Sequence, residues 1–385
     1  MPKKILLIAG EASGDHHAAS LVESIKKIDK DITFFGIGGV DMQNAGINII
    51  YNMSGLAVIG PVDVIRHYKK IRAMYYGLCN YIKQHKPDYA ILIDCPGFNL
   101  KIAKVLKSLS IPIIYYISPQ IWAWGPGRIK KIRRLINKMV VFFDFEESLY
   151  RKEGVDVSFV GHPLLDDAKP TQEKYSLFVK YGLSPEKITI GILPGSRNYE
   201  AVRILPIMVK SAKLIQKKLG DNNVQFLLPL AKTLKPNLID DILKNLNFKA
   251  HIIRGDTYNV ISMCKAAMVA SGTATLETAL LGVPMAIVYK VGLLTYCITR
   301  SIIKIPYIGL VNVVANKMIV PEFLQYKATP GAIADRIVKL VQDESLWQEQ
   351  KRELLELKNR LGSPGASARA AKEVVAFLKT TVAEP

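Results

Sequence analysis

The sequence predicts an α/β protein built of two doubly wound, Rossmann-like domains in tandem, with a ligand cleft between them. Three observations carry this expectation. Short apolar runs end in small or turn-forming residues, helical patterns lie between several of them, and the whole series starts again after about residue 166. Unbroken apolar runs of this length are what strands of a parallel sheet covered on both faces look like.

The first series runs Ile5 to Ala9, Thr33 to Ile37, Tyr89 to Ile93, Ile113 to Ile117 and Met139 to Phe143. A polar, weakly periodic stretch from Asp166 to Lys187 separates it from the second: Ile188 to Leu193, Val224 to Pro229, His251 to Arg254, Ala267 to Ala270 and Met285 to Tyr289. The expected boundaries are therefore 1–165 and 166–361, with Gly161-His162-Pro163 as the hinge. From Thr329 to Arg360 the chain is charged and helical, and it breaks at Gly362-Ser363-Pro364-Gly365. A last helix, within 362–385, is expected to pack back on the first domain or on a partner chain, the latter giving a homodimer. Two such domains place a ligand at the carboxyl ends of their strands.

At 385 residues and 49% hydrophobic composition the chain can bury a large core, which excludes disordered and fibrous classes. Its 52 basic and 33 acidic residues leave a net charge of +19, enough to attract phosphates, nucleic acid or an anionic membrane. Cys79, Cys95, Cys264 and Cys297 have no zinc-site spacing and form no disulfide framework, so a reducing cytoplasm is expected. The apolar run after Lys4 is too short for a signal peptide. No charge-free run approaches the roughly 18 residues that cross a bilayer, and membrane contact is expected to be peripheral.

Several stretches can carry chemistry. In Ala9-Gly10-Glu11-Ala12-Ser13-Gly14-Asp15, a strand end passes through small residues into a helix, where backbone N–H groups and the helix dipole favour an anion. The plainer account is a turn capped by Ser13 or Asp15. In Ile93-Asp94-Cys95-Pro96-Gly97-Phe98-Asn99, an acid at the end of a buried strand faces the expected cleft and is a candidate base, or else a helix cap. Ser118 to Trp124 brings Trp122 and Trp124 beside a Gly-Pro-Gly turn, able to stack on a sugar, grip acyl chains or pack in the core. Behind it Arg128, Lys130, Lys131, Arg133, Arg134 and Lys138 form either a solvated face or a site for headgroups or a phosphate.

In the second domain Leu193-Pro194-Gly195-Ser196-Arg197 offers N–H groups and a guanidinium to a pyrophosphate, without Walker spacing. Ala270-Ser271-Gly272-Thr273 precedes a helix carrying Glu277, an acid suited to ribose hydroxyls or to an ordinary first turn. Finally, Val58, Val62, Ile65, Tyr68, Ile71 and Tyr75 recur at helical spacing among Arg66, Lys69, Lys70 and Arg72. Such a helix suits an anionic membrane surface, at about 1 kcal/mol per cation, and equally a domain helix on its own sheet.

AGEASGD, Asp94 to Asn99, SPQIWAW, Gly161-His162, LPGSR and ASGTATLE stand in the order and spacing of the lipid-A-disaccharide synthase family, which the chain resembles from near residue 5 to about Gln325. The resemblance implies a GT-B fold and an inverting glycosyltransferase of lipid A biosynthesis in a Gram-negative bacterium. It implies transfer of 2,3-diacylglucosamine from UDP-2,3-diacylglucosamine to 2,3-diacylglucosamine 1-phosphate, giving a β-1,6-linked disaccharide phosphate and UDP. On it Asp94 is the expected base and Glu11 the second candidate. Gly195, Ser196, Arg197, Ser271, Gly272, Thr273, Glu277 and Asn312 are expected on the donor. Val62, Ile65, Arg66, Lys69, Lys70, Trp122, Trp124 and Arg128 are expected on acceptor or membrane. No metal or cofactor is expected, since the Asp-x-Asp string Asp29-Lys30-Asp31 lies in a polar turn. The family's D-x-P-D-F-N string has Gly97 in place of its second acid. The rival readings are a UDP-N-acetylglucosamine 2-epimerase or another GT-B enzyme, and a basic nucleic-acid-binding protein, although no nucleic-acid module is evident.

Overall fold

A strand covered on both faces has no polar side to show, and the computed structural model turns the apolar runs into parallel strands. It describes residues 2–52, 61–123, 127–231, 233–292 and 305–381, the side chains of 61–67 excepted. The chain divides into two compact units, Met1–Pro163 with Leu361–Pro385, and Leu164–Arg360.

In unit 1 the elements run β1 (Lys3–Ala9), α1 (Ala12–Ile28), β2 (Ile32–Gly38), α2 (Val40–Asn44), β3 (Asn48–Asn52), α3 (Pro61–His85), β4 (Tyr89–Ile93), α4 (Pro96–Ser108), β5 (Ile113–Tyr116), α5 (Arg128–Leu135), β6 (Lys138–Val141), α6 (Asp144–Lys152) and β7 (Val157–Phe159). The strands form one parallel sheet in the order β3-β2-β1-β4-β5-β6-β7. The order reverses between β1 and β4, which are paired with Ala9 opposite Ile93. Ligands of open α/β sheets lie at such a switch point, beyond the strand ends.

One core joins the inner residues of β1, β4 and β5 to Leu78 and Ile82 of α3, Ile102 and Leu106 of α4, and Ile132 of α5. Each fully buried side chain of this size contributes about 1.5–3 kcal/mol. Ile71 and Tyr75 pack against the same core, so the later part of α3 is a domain helix on its own sheet. Asp15 does not cap α1. Its buried carboxylate accepts from the N–H groups of Gly39 (2.6 Å), Asp41 (3.0 Å) and Met42 (3.3 Å), closing the start of α2.

Unit 2 contains α7 (Leu164–Asp167), α8 (Lys174–Lys180), β8 (Ile188–Leu193), α9 (Asn198–Leu219), β9 (Val224–Leu230), α10 (Pro236–Asn245), β10 (His251–Arg254), α11 (Thr257–Met263), β11 (Ala266–Ala270), α12 (Thr273–Leu280), β12 (Met285–Tyr289), α13 (Leu310–Ala315), β13 (Glu322–Leu324), α14 (Pro330–Gln342) and α15 (Glu344–Glu356). Its parallel sheet runs β10-β9-β8-β11-β12-β13, with the reversal between β8 and β11. The helical stretch expected after Thr329 consists of two helices. Thr329 Oγ1 accepts from Ala332 N–H at 3.3 Å to start α14, and Asp343 Oδ1 accepts from Leu346 N–H at 3.0 Å to start α15.

The chain then returns to unit 1 as α16 (Ala366–Thr380), whose alanine and valine face packs on α1. Lys3 Nζ donates to Leu378 O at 2.6 Å, Arg369 Nε to Val160 O at 2.8 Å, and Ser158 Oγ to Glu373 Oε2 at 2.7 Å. His162 N–H donates to Leu361 O at 2.8 Å, tying the outgoing and returning segments together.

Candidate functional site

In unit 1 the switch point brings two acidic residues to adjacent strand ends. Gly10-Glu11 leaves β1 and Asp94 leaves β4 from the register pair Ala9 and Ile93. Glu11 stands in extended backbone at the N-cap of α1 without capping it through its side chain. Between Asp94 and α4 lies Cys95, whose thiol is pushed up to about 12, first by burial and then by the Asp94 and Glu11 carboxylates. Both acids therefore bear on one point.

The backbone at Asp94 is unusual for residues with side chains. Asp94 (φ 46°) and Cys95 (φ 43°) are both left-handed, an arrangement that costs on the order of 1–3 kcal/mol each and persists only where its surroundings hold it. The hold is visible. Buried Asn99 donates through Nδ2 to Ile93 O at 3.0 Å and Asp94 O at 2.8 Å, and the Tyr115 hydroxyl also donates to Asp94 O. The carbonyl is thus pinned inward. Gly97, in the first turn of α4, is exposed, and a Cβ there would meet nothing within 4 Å.

The loop after β5 is held by a group that sequence reasoning missed. Glu146 on α6 is 3% exposed, and its Oε1 accepts from Trp122 Nε1–H at 3.1 Å. Ser118 Oγ lies 2.9 Å from the Tyr150 hydroxyl, and the Trp122 ring meets Phe145 edge-on at 5.4 Å. Burial pushes the Glu146 carboxyl up to about 8, against the pull of Trp122, Ser118 and the Phe143 and Phe142 N–H groups. Trp122, expected to reach acceptor or lipid, is half-buried and has its polar edge committed inside unit 1. Lys69 and Lys70 are exposed beside Tyr68, and Arg128 is half-buried. Trp124 lies outside the described residues, as do the side chains of Val62, Ile65 and Arg66.

Unit 2 repeats the arrangement with different chemistry. Leu193 pairs with Val269 across β8 and β11, so the Gly195 turn and the Ser271-Gly272 turn leave the sheet together. Gly195 has φ +100°, and a Cβ there would stand 2.7 Å from Glu200 Oε2. Only glycine fits. Glu200, another unforeseen buried acid, accepts from Arg197 Nη1 and from the Tyr199 hydroxyl at 3.3 Å each, so it lies against the turn and holds the guanidinium. Burial raises its carboxyl even with Arg197 beside it.

Across the switch point Gly272 has φ +145°, and a Cβ there would meet nothing within 4 Å, so its backbone is open to a close approach. Ser271 Oγ donates to Ile308 O at 3.1 Å, and Thr273 starts α12. Glu277 sits in the second turn of α12, and burial alone pushes its carboxyl up to about 7. Asn312, expected to contact a donor directly, is fully buried and saturated. Its Oδ1 accepts from Ile319 N–H (3.0 Å) and Val320 N–H (2.9 Å), and its Nδ2 donates to Val320 O (2.7 Å) and Glu322 Oε1 (2.8 Å). Its amide has no position left for a ligand, so its effect on the site passes through the α13–β13 segment it braces.

The family model described as lipid-A-disaccharide synthetase matches residues 5–376. The lipid-A-disaccharide synthase of Syntrophus aciditrophicus is 43% identical over 98% of this chain and 98% of its own length. That of Coxiella burnetii is 41% identical over 97% of this chain and 98% of its own. The chain belongs to the lipid-A-disaccharide synthase family.

Among solved structures, S. aureus MnaA in a co-structure with UDP has a TM-score of 0.67 at 15% identity, covering 100% of this chain and 99% of that one. The calicheamicin glycosyltransferase CalG4 has a TM-score of 0.60 at 12% identity, covering 99% of each. These likenesses show the fold, which is GT-B, and membership of the synthase family makes the chain a glycosyltransferase. The epimerase and nucleic-acid readings are not favoured. Glu146 and Glu200 escaped the sequence reading because an acid in the first turn of a helix ordinarily complements the helix dipole at the surface. Among the described residues no helix is long and apolar enough to cross a membrane.

Proposed function

We propose that the chain transfers 2,3-diacylglucosamine from its UDP derivative to the 6-hydroxyl of 2,3-diacylglucosamine 1-phosphate, with inversion. The acceptor oxygen forms a bond to the anomeric carbon as the bond from that carbon to the β-phosphate oxygen breaks. The electron pair leaves with UDP, and the hydroxyl proton passes to Asp94. An α-linked donor and a β-linked product require one in-line displacement, so catalysis rests on positioning, a base and stabilisation of the leaving diphosphate.

The observation that carries this reading is the paired switch points. One presents Asp94 and Glu11 at adjacent strand ends, and the other presents the Gly195 and Gly272 turns with Arg197 and Glu277. On this reading Arg197 and the N–H groups of Gly195 and Ser196 take the diphosphate, and Ser271, Gly272 and Thr273 line the second turn. Glu277 takes the ribose, and Asn312 positions the donor side without touching it. Developing negative charge is met by protein cations and N–H groups, so the transfer needs no metal. Lys69, Lys70 and Tyr68, exposed on α3, support peripheral contact with an anionic membrane on its cytoplasmic side.

The test is UDP release in detergent and EDTA, with and without the phosphorylated acceptor, for the wild type and Asp94→Ala. Acceptor-dependent release that survives EDTA and falls at least about a hundredfold in the variant is expected. No acceptor-dependent release from folded wild type would remove the reaction.

A further inference from the structure

Helices α4 and α5 pack against one another and bring four cations to their junction. Lys101 and Lys104 stand one turn apart on α4, and Arg128 and Lys131 one turn apart on α5. Lys101 and Lys104 are exposed, while Arg128 and Lys131 are half-buried. The Lys131 ammonium is held below the usual lysine range, first by burial and then by the charges of Lys104, Arg128 and Lys101. The four charges therefore converge. Among the described residues no acid pairs with Lys101, Lys104 or Lys131, although Lys138 nearby in sequence is held by Asp156 at 3.0 Å and Glu373 at 3.2 Å. Three lysines gathered without an acid repel one another, and a phosphate monoester, with close to two negative charges and three acceptor oxygens, relieves that repulsion at several points at once.

The place of the cluster says which phosphate. Helix α4 begins at Pro96, two residues past Asp94, and α5 follows the loop that leaves β5, the strand beside β4. At 1.5 Å per residue Lys101 lies about 8 Å along α4 from Pro96, and Lys104 about 5 Å further. In the proposed acceptor the reacting hydroxyl and the phosphate are carried on either side of the ring oxygen, within one sugar's breadth of each other, so with a base at Asp94 the phosphate falls near the start of α4, within reach of long cationic side chains from its next turns.

We propose that Lys101, Lys104, Arg128 and Lys131 form the subsite for the phosphate monoester of the acceptor. This rests on the reaction proposed above.

The experiment compares kcat and KM of the wild type and of the Lys104→Gln/Lys131→Gln variant, in micelles of uncharged detergent. The acceptors are 2,3-diacylglucosamine 1-phosphate and 2,3-diacylglucosamine, and the KM for the UDP sugar reports on folding and donor binding. The preference of wild type for the phosphorylated acceptor, as a ratio of kcat/KM, is expected to fall by about tenfold per cation removed, the scale of a charge-assisted hydrogen bond. The loss should fall on acceptor KM with the KM of the UDP sugar unmoved. An unchanged preference overturns the subsite while the reaction stands. Loss of binding to vesicles containing anionic phospholipid, with acceptor KM in micelles unchanged, assigns the cations to lipid headgroups and also overturns it. A wild type without acceptor-dependent UDP release overturns the reaction, and the subsite with it.

Discussion

The buried carboxyl of Glu146 makes unit 1 less stable as pH rises, in a range where surface acids no longer titrate. It titrates near 8 in the folded chain against an ordinary 4.5, with burial the largest cause. Between those two values the folded chain keeps a proton that the unfolded chain has released. Stability from this group is then fully present below about pH 4.5 and is lost as pH rises through about 8. At 1.36 kcal/mol per pH unit the whole loss is on the order of 5 kcal/mol, of which about 3 kcal/mol has gone by pH 7. Glu146→Gln keeps an oxygen for Trp122 Nε1–H and has no proton to lose, so its stability should be flat across this window relative to wild type and higher at pH 8 to 9 by a few kcal/mol. Glu146→Leu should be equally flat but lower, because the indole N–H loses its acceptor, at about 1–3 kcal/mol. Urea unfolding at pH 5 to 9 measures this, followed by tryptophan fluorescence in a Trp347→Phe background so that Trp122 and Trp124 report on unit 1 alone. Equal pH slopes for wild type and Glu146→Gln would refute the reasoning, since Glu146 would then be ionised and solvated.

The donor side makes its own pH prediction. Glu277 should accept ribose hydroxyls best as the carboxylate, and burial sets its pKa at about 7, so UDP affinity should weaken as pH falls below 7, by at most about tenfold per unit from this group, and Glu277→Gln should remove that part and leave the part due to the terminal phosphate of UDP, which titrates near about 6. Calorimetry from pH 5.5 to 8.5 decides it, and the same pH dependence in wild type and Glu277→Gln would take Glu277 off the ribose. Gly195→Ala drives a methyl to within 2.7 Å of Glu200 Oε2 at φ +100°, so it should cost about 1–3 kcal/mol of stability and at least about tenfold in UDP affinity; retained affinity would place the diphosphate elsewhere. Gly97→Asp enters open space and should change stability by no more than about 0.5 kcal/mol in thermal unfolding. With Asp94 in place as base it should raise kcat by less than about threefold, and a larger gain would assign proton transfer to position 97.

Apart from the edge strand His251–Arg254, the strands that sequence reasoning found are largely buried, such as Tyr89–Ile93 and Ala266–Ala270, whose every side chain is inside. The ones it missed are edges. Asn48–Asn52 begins and ends on exposed asparagines with only half-buried residues between, and Val157–Phe159 and Glu322–Leu324 are three residues long. A short edge strand has one neighbour and an uncovered side, so neither an apolar run nor a clean alternation marks it. Glu322 shows what such an edge can do, since its carboxylate accepts from Ile308 N–H at 3.0 Å and Gly309 N–H at 2.9 Å and so fixes the entry to α13.

The same contrast divides the candidate site. Asp94, Glu11, Gly195 and Gly272 were legible because small or acidic residues directly after a buried strand have few structural reasons to be there, and the switch points fall on them. Trp122 was read toward a ligand for its chemistry and Asn312 from the family resemblance, yet each has its polar atoms taken up within its own unit. Both sit among apolar residues, Leu310-Val311-Asn312-Val313-Val314 and Ile121-Trp122-Ala123. A polar group folded into such a setting must find internal partners or forfeit the cost of leaving water, and the partners, Glu322 ten residues away and Glu146 twenty-four, are too distant in sequence for any local pattern to reveal. Glu146 and Glu200 are the reverse case, acids that local pattern assigns to the surface and that tertiary packing converts into supports for Trp122 and Arg197.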